Sequence, residues 1–186
     1  PKHASATLQL KSKKTLVFED ARKFGRFYLY KDLEPINERH GPEPLDESFT
    51  SGLLMDILST KKRNIKALLL DQSVVAGLGN IYVDEGLWMS GIHPNSISNA
   101  IPKTKIIKLH RSIQTILMDA IAAKGTTIID FSVNGESGKY ADQLHIFGKA
   151  GEPCQKNKNK IKKIRVAGRG TYFCSKCQHL YLKSSD

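Results

Sequence analysis

Over residues 31–48 the hydrophobic pattern of the chain changes its period, and the change falls on Pro35, Gly41, Pro42 and Pro44 set among charges. Apolar residues before this stretch alternate with a period of two, as in half-buried strands. Those after it recur with a period of about 3.6, as in amphipathic helices. Strands and helices are therefore segregated along the chain, which predicts an α+β fold, mainly α. The stretch itself reads as a linker over 32–47.

Before the linker, residues 6–10 alternate, residues 15–18 are apolar and β-prone, and residues 24–30 are aromatic-rich around Gly25. Three strands within 1–31 are expected. So few strands bury neither face of a sheet, so this chain is expected to carry the end of a sheet and to be the C-terminal part of something larger. After the linker the spacing predicts helices over 49–58, with Ser48 as N-cap, over 65–70, over 81–89 with Asn80 at its start, and over 103–123. In the last of these Ile106, Leu109, Ile113, Ile116, Leu117 and Ala120 form one apolar stripe, read as core. Between the second and third helices Gly77 and Gly79 permit the positive φ of consecutive tight turns. Residues 132–139 show no apolar periodicity and are expected to form a mobile loop. Runs at 161–166 and 170–173 flank Ala167-Gly-Arg169 and predict a hairpin.

The net charge is +11 at neutral pH, and it is concentrated. Residues 139–183 hold 11 basic and only 2 acidic side chains, alongside enough apolar residues to be ordered, so this unit is suited to a polyanion, with nucleic acid ahead of an anionic membrane surface. No apolar run is long enough for a membrane helix and no leader-like segment opens the sequence; a soluble, intracellular protein is expected. Three cysteines, an odd number, argue against a disulfide framework and for metal binding or free thiols.

Three constellations carry chemistry. Gly79-Asn80 opens a helix, where unpaired N–H groups suit a phosphate; Asn80 is either an N-cap or a phosphate ligand, and Lys61, Lys62, Arg63 and Lys66 nearby favour the second. Cys174 and Cys177 form an intact C-x-x-C knuckle, but the opposing one reads Cys154-Gln-Lys-Asn157. The alternatives are zinc on three thiolates plus water or an outside ligand such as His179, or a metal-free hairpin. In Asp20-Ala-Arg-Lys-Phe-Gly25, Phe24 and Arg22 either enter a base stack as wedge and filler, or lie respectively in the core and paired with Asp20. His3, His93 and His110 show no ligand spacing and read as surface or capping residues, and Asp84-Glu85 as structural.

These pieces in this order resemble the formamidopyrimidine-DNA glycosylase and endonuclease VIII family, and within it the formamidopyrimidine branch. The likeness runs from Lys2-His3 through Asp20-Ala-Arg-Lys-Phe-Gly25, Gly41-Pro-Glu-Pro44, Ile65-Lys66, Val75-Ala-Gly-Leu-Gly-Asn-Ile-Tyr-Val-Asp-Glu85, Ile92-His-Pro94 and Gly125-Thr-Thr127 to Val166-Ala-Gly-Arg-Gly-Thr-Tyr-Phe-Cys174. It implies the last strands of an N-terminal β-sandwich over 1–31, a helix-two-turn-helix domain over 48–138 and a zinc-finger-type β-hairpin over 139–182. The implied activity is base-excision repair of 8-oxoguanine and formamidopyrimidines by base flipping, with AP lyase β,δ-elimination in the full-length enzyme. The implied partner is double-stranded DNA with oxidised bases or abasic sites, bound by a monomer, in the bacterial cytoplasm beside the nucleoid. By the same resemblance His3, Arg22, Phe24, Lys61, Lys66, Gly79, Asn80 and Arg169 are DNA contacts. Arg169, at the hairpin tip, also assists δ-elimination; Cys154, Cys174 and Cys177 hold one zinc ion; residues 130–145 close over the flipped base.

Two departures stand out. The family's nucleophilic N-terminal proline is followed by a glutamate acid, whereas Pro1 here precedes Lys2-His3, which match a later point of the family pattern. The fragment is accordingly expected to bind DNA without turnover. Asn157 replaces the fourth zinc cysteine. Two other readings fit the residues: a non-catalytic damaged-DNA or RNA binding module, which has no use for Phe24 and Arg22, and a general polyanion binder, which predicts steep salt dependence without lesion preference.

Overall fold

The computed structural model describes residues 2–127, 132–133 and 136–182, in two compact units, Pro1–Pro35 and Ile36–Asp186. In the first, strands β1 (Ala4–Gln9) and β2 (Thr15–Glu19) pair antiparallel. Leu8, Leu10, Leu16 and Phe18 remain exposed. The third expected strand, over 24–30, does not form; these residues take no ladder partner among the described residues. Aromatic content alone does not make a strand where no edge receives it.

The short helix α1 (Glu34–Asn37) spans the boundary between the units in sequence. The second half of the expected linker belongs to the helical body. Gly41 N–H donates to the Gln72 carbonyl (2.8 Å) and Ala76 N–H to that of Pro42 (3.1 Å), and a Cβ at Gly41 would stand 2.4 Å from the Val74 carbonyl carbon. Only glycine permits this approach.

Helix α2 (Ser51–Thr60) is capped by Thr50, whose hydroxyl accepts from Leu53 N–H at 3.1 Å. Its start lies two residues beyond the expected one because Thr50, not Ser48, supplies the cap. Helix α3 (Ile65–Leu69) is capped by Asn64, which accepts from Ala67 N–H at 3.0 Å. Helix α4 (Asn80–Ser90) ends at Gly91, whose φ of 75° allows a left-handed cap. Helix α5 (Lys103–Ala122) buries Ile106, Leu109, Ile113, Ile116 and Ala120, with Leu117 packed at the edge of the same core. Phe49, Leu54, Leu58, Leu68, Val75 and Leu87 join Ile106, Leu109 and Ile113 in the main core, while Ile116 and Ala120 pack with Tyr140 and Leu144 in a second cluster. His110 is half-buried: its ring stacks on Phe49, and its Nε2 lies 2.6 Å from the Phe49 carbonyl.

Short strands β3 (Ser132–Val133) and β4 (Glu136–Ser137) pair antiparallel within the segment expected to be a mobile loop. The chain then returns to the body through Lys139 N–H to the Ala123 carbonyl and Tyr140 N–H to that of Gly125. The C-terminal hairpin pairs β5 (Lys162–Val166) with β6 (Arg169–Phe173). Ala167 (φ 49°) and Gly168 (φ 73°) form its two-residue turn, the doubly left-handed geometry that follows strand twist. Trp88, Ile146, Cys154, Ile161 and Cys174 make its core.

Candidate nucleic-acid interface

Helix α4 is buried continuously from Val83 through Trp88, with Asp84 and Glu85 among its buried residues. Two carboxylates on such a helix need partners in the interior. Asp84 finds Lys66: Nζ to Oδ1 is 2.6 Å, with both side chains wholly buried. Its other oxygen accepts Tyr172 N–H at 2.9 Å. Burial pushes the Asp84 carboxyl up to about 6 against the pull of Lys66, and burial likewise lowers the Lys66 ammonium. Glu85 accepts the backbone N–H groups of His145, Ile146 and Phe147 at 2.8–3.0 Å. The reading of this pair as structural holds, and the carboxylates do more than fill space: they fasten strand β6 and the 145–147 segment onto α4.

The basic run around it predicts a phosphate contact for Lys66, but the side chain lies in the interior, where it also reaches the Gly170 carbonyl at 3.3 Å. In a run that includes Lys61, Lys62 and Arg63, nothing local distinguishes the one lysine whose helix face turns inward. Asn80 is not the N-cap; Gly79 is, and it makes no side-chain cap bond. Asn80 Nδ2 donates to the Gly170 carbonyl at 3.0 Å. Its Oδ1 is buried and has no hydrogen-bond partner among the described residues. Of the two turn glycines, Gly77 takes φ 75°, while Gly79 is extended at −102°. Gln72 ties the turns together, donating to the Leu78 carbonyl and accepting Gly77 N–H, each at 2.9 Å.

Lys66, Asn80 and Asp84 thus converge on residues 170–172 of β6. Arg169 is the first residue of that strand, beside the turn, and it is exposed. Its guanidinium acts electrostatically on Lys66. Gly79 is exposed at the start of α4. Lys61 caps the end of α2, where its carbonyl accepts the Ser98 hydroxyl. Arg63 is held by Asp71 at 2.9 Å.

In the first unit Phe24 is 78% exposed, so it is not a core residue there. Asp20 does not pair with Arg22. Its carboxylate collects backbone N–H groups, from Gly25 at 2.5 Å and Arg22 at 3.2 Å, and these hold it below the usual carboxylate range. The resulting turn leaves the Arg22 guanidinium 5.6 Å from the centre of the Phe24 ring. His3 is exposed, its carbonyl accepting Asp20 N–H at 2.9 Å.

The sulfurs of Cys154, Cys174 and Cys177 lie within 4.8 Å of one another. Tetrahedral zinc with Zn–S near 2.3 Å spaces its sulfurs about 3.8 Å apart, so three corners of such a site fit. His179 is not in this group; its ring packs edge-on against Tyr181. The fourth knuckle position holds the Asn157 amide, 2.9 Å from Cys177 Sγ.

Residues 40–132 match the formamidopyrimidine-DNA glycosylase H2TH domain, and residues 151–180 the zinc finger found in FPG and IleRS. The formamidopyrimidine-DNA glycosylase of Pediococcus pentosaceus is 44% identical over 184 residues, 96% of this chain and 67% of its own length. This chain belongs to the formamidopyrimidine-DNA glycosylase family. The Lactobacillus helveticus member is 47% identical over 174 residues. The chain spans 62% of that relative's length. The MutM (Fpg) protein of Thermus thermophilus superposes with a TM-score of 0.87 at 34% identity, covering 96% of this chain and 69% of that one. The Lactococcus lactis Fpg, solved in complex with DNA containing an abasic site, gives 0.81 at 42% identity over 88% of this chain and 62% of its own. Family membership accounts for the segregated helical body and finger seen here. Among the described residues no helix is long and apolar enough to cross a membrane. Pro1, and residues 130, 131, 134 and 135 of the expected base-covering segment, lie outside the described residues.

Proposed function

We propose that this chain grips damaged duplex DNA for base-excision repair of oxidised purines, the glycosylase and AP lyase steps belonging to a longer enzyme that carries an N-terminal proline and glutamate. The observation that carries the reading is the fastening of β6 to α3 and α4 by Lys66, Asn80 and Asp84. It fixes exposed Arg169 on a hairpin anchored beside the N-terminal end of an 11-residue helix. A guanidinium and free helix N–H groups held on one rigid body suit successive phosphates. Gly79, Asn80 and Lys61 supply the remaining backbone contacts on the helical body, with Lys66 acting through β6 rather than on DNA. In the first unit Phe24 enters the stack vacated by a flipped nucleotide, Arg22 faces the orphaned base, and His3 touches the backbone. Relatives solved with Fapy-dG DNA and with carbocyclic 8-oxo-G DNA support the substrate class.

Cys154, Cys174 and Cys177 hold one zinc ion, which when bound supplies structural cross-linking of the two knuckles. The protein's own residues already seat the hairpin through α4, so Arg169 is positioned by hydrogen bonds on one side and by the finger core on the other. In the longer enzyme Arg169 grips the phosphates flanking the lesion and assists the second elimination. Assayed alone, these 186 residues bind without turnover.

Equilibrium binding to duplexes containing 8-oxoguanine, an abasic site or neither, with borohydride trapping alongside, tests the reading. A lesion preference without covalent adduct is expected. Equal affinity for damaged and undamaged duplex would overturn lesion reading and leave the polyanion binder.

A further inference from the structure

We propose that Asn157 caps the trithiolate site by hydrogen bonding rather than by ligation, so that zinc held by Cys154, Cys174 and Cys177 keeps one coordination position exchangeable for water, imidazole or a thiol. This rests on the zinc reading above and assigns the part of the site that reading leaves unfilled.

The orientation of the Asn157 amide decides its role. The backbone N–H of Asn159 lies 3.0 Å from one terminal atom of that side chain. A backbone N–H only donates, so the atom is Oδ1 and the other is the NH₂. That NH₂ stands 2.9 Å from Cys177 Sγ and 3.5 Å from Cys174 Sγ. An amide nitrogen shares its lone pair with its carbonyl, so it offers the sulfurs hydrogens and has nothing to give a metal. The ligating end of an amide is its oxygen. Oδ1 does pass 3.5 Å from Cys174 Sγ, but it already accepts both the backbone N–H and, at 3.3 Å, Nδ2 of Asn159. An oxygen engaged by two donors on the neighbouring loop is held from the fourth metal position.

The backbone is not what prevents a fourth thiolate. Asn157 N–H donates to the Cys154 carbonyl at 3.2 Å, and Cys177 N–H donates to the Cys174 carbonyl at the same 3.2 Å. The two knuckles close alike, and one presents an amide where the other presents a thiol. Trp88 Nε1–H adds a donor 3.4 Å from Cys154 Sγ. Each sulfur thus has an N–H group directed at it, and such donors orient thiolates and temper their charge. Three thiolates around a divalent ion leave a single net negative charge, one less than four would. On binding, each thiol releases its proton to solvent while its sulfur gives an electron pair to the metal, and nothing is oxidised or reduced.

The test loads the full chain with cobalt(II) in place of zinc and reads its d–d absorption, which reports the ligand set. One cobalt per chain is expected, with bands that move when imidazole is added. Asn157→Cys should lose the imidazole response and hold the ion at least tenfold more tightly in competition with a chelator. Asn157→Ala should keep the parent's coordination number and its imidazole response, its bands moving only slightly, because a capping group is removed and no ligand. Altered coordination in Asn157→Ala would make the amide a ligand and overturn the proposal. So would a parent spectrum indifferent to imidazole, and either result leaves the zinc reading standing. Failure of the parent chain to bind cobalt would overturn both.

Discussion

The Lys66 ammonium lies 2.6 Å from the Asp84 carboxylate, and neither side chain is reached by solvent. They lie 18 residues apart in sequence, on α3 and α4, and both extend their reach into β6: Lys66 to the Gly170 carbonyl, Asp84 to Tyr172 N–H. A buried ion pair is a weak source of net stability, but breaking it is costly, because the surviving charge has no water to turn to. Lys66→Met and Asp84→Asn should each destabilise by about 3–5 kcal/mol. The double variant should recover a large part of the loss, since its interior holds no unpaired charge, and the amide oxygen introduced by Asp84→Asn still accepts Tyr172 N–H. Denaturant unfolding of the four proteins in a double-mutant cycle measures this coupling. Additive losses would mean that the two charges do not sense each other.

Arg169 differs from Lys66 in being exposed. Arg169→Ala should leave thermal stability within about 0.5 kcal/mol of the parent, as surface changes do. It should lower the salt dependence of DNA binding by close to one phosphate's share, a change of about 0.9 in the slope of log K against log salt. Titrations at several salt concentrations give that slope directly. An unchanged slope would remove Arg169 from the phosphate contacts.

Phe24 exposes most of its ring beside the Arg22 guanidinium. Phe24→Ala should therefore cost the folded chain little. If the ring enters a base stack, its loss should reduce the preference for lesion-bearing over undamaged duplex by roughly the worth of one aromatic stack, about 1–3 kcal/mol. Undiminished discrimination by Phe24→Ala would move lesion reading elsewhere.

The helical body is legible in the sequence because its signal is periodic: the α5 stripe from Ile106 to Ala120 is the core, as its spacing predicts. Legibility ends where partners are distant. Lys66 sits in a basic run, and only the inward turn of its helix face sets it apart from Lys61 and Lys62. The available clue is on the other partner: Asp84 belongs to a helix with Val83, Gly86, Leu87 and Trp88 around it, so it needs a buried donor from somewhere. The segment over 24–30 misleads for a similar reason, since strand propensity expresses itself only against a neighbouring strand. In the finger, Asn157 is recognisable as a departure, but the direction of its amide is set by Asn159, a relation that residue identity alone does not contain.

His93 gives the finger a pH dependence. Its Nδ1 accepts Asn95 N–H at 3.1 Å, which requires that nitrogen to be unprotonated, and its ring packs edge-on against Phe173 of β6. Burial lowers its pKa from the usual 6.5. The folded state then binds fewer protons than the unfolded state, so stability rises with pH through this window. The contribution is fully present above about pH 6.5, the unfolded value, and is lost as pH falls toward and through the lowered folded value. His93→Gln keeps an acceptor for Asn95 without a group that titrates there. Chemical denaturation between about pH 5 and pH 8 should show His93→Gln losing less stability toward acid than the parent does, with Asp84 adding the same opposite slope to both proteins. Parallel pH profiles for the two proteins would assign the acid sensitivity to another group.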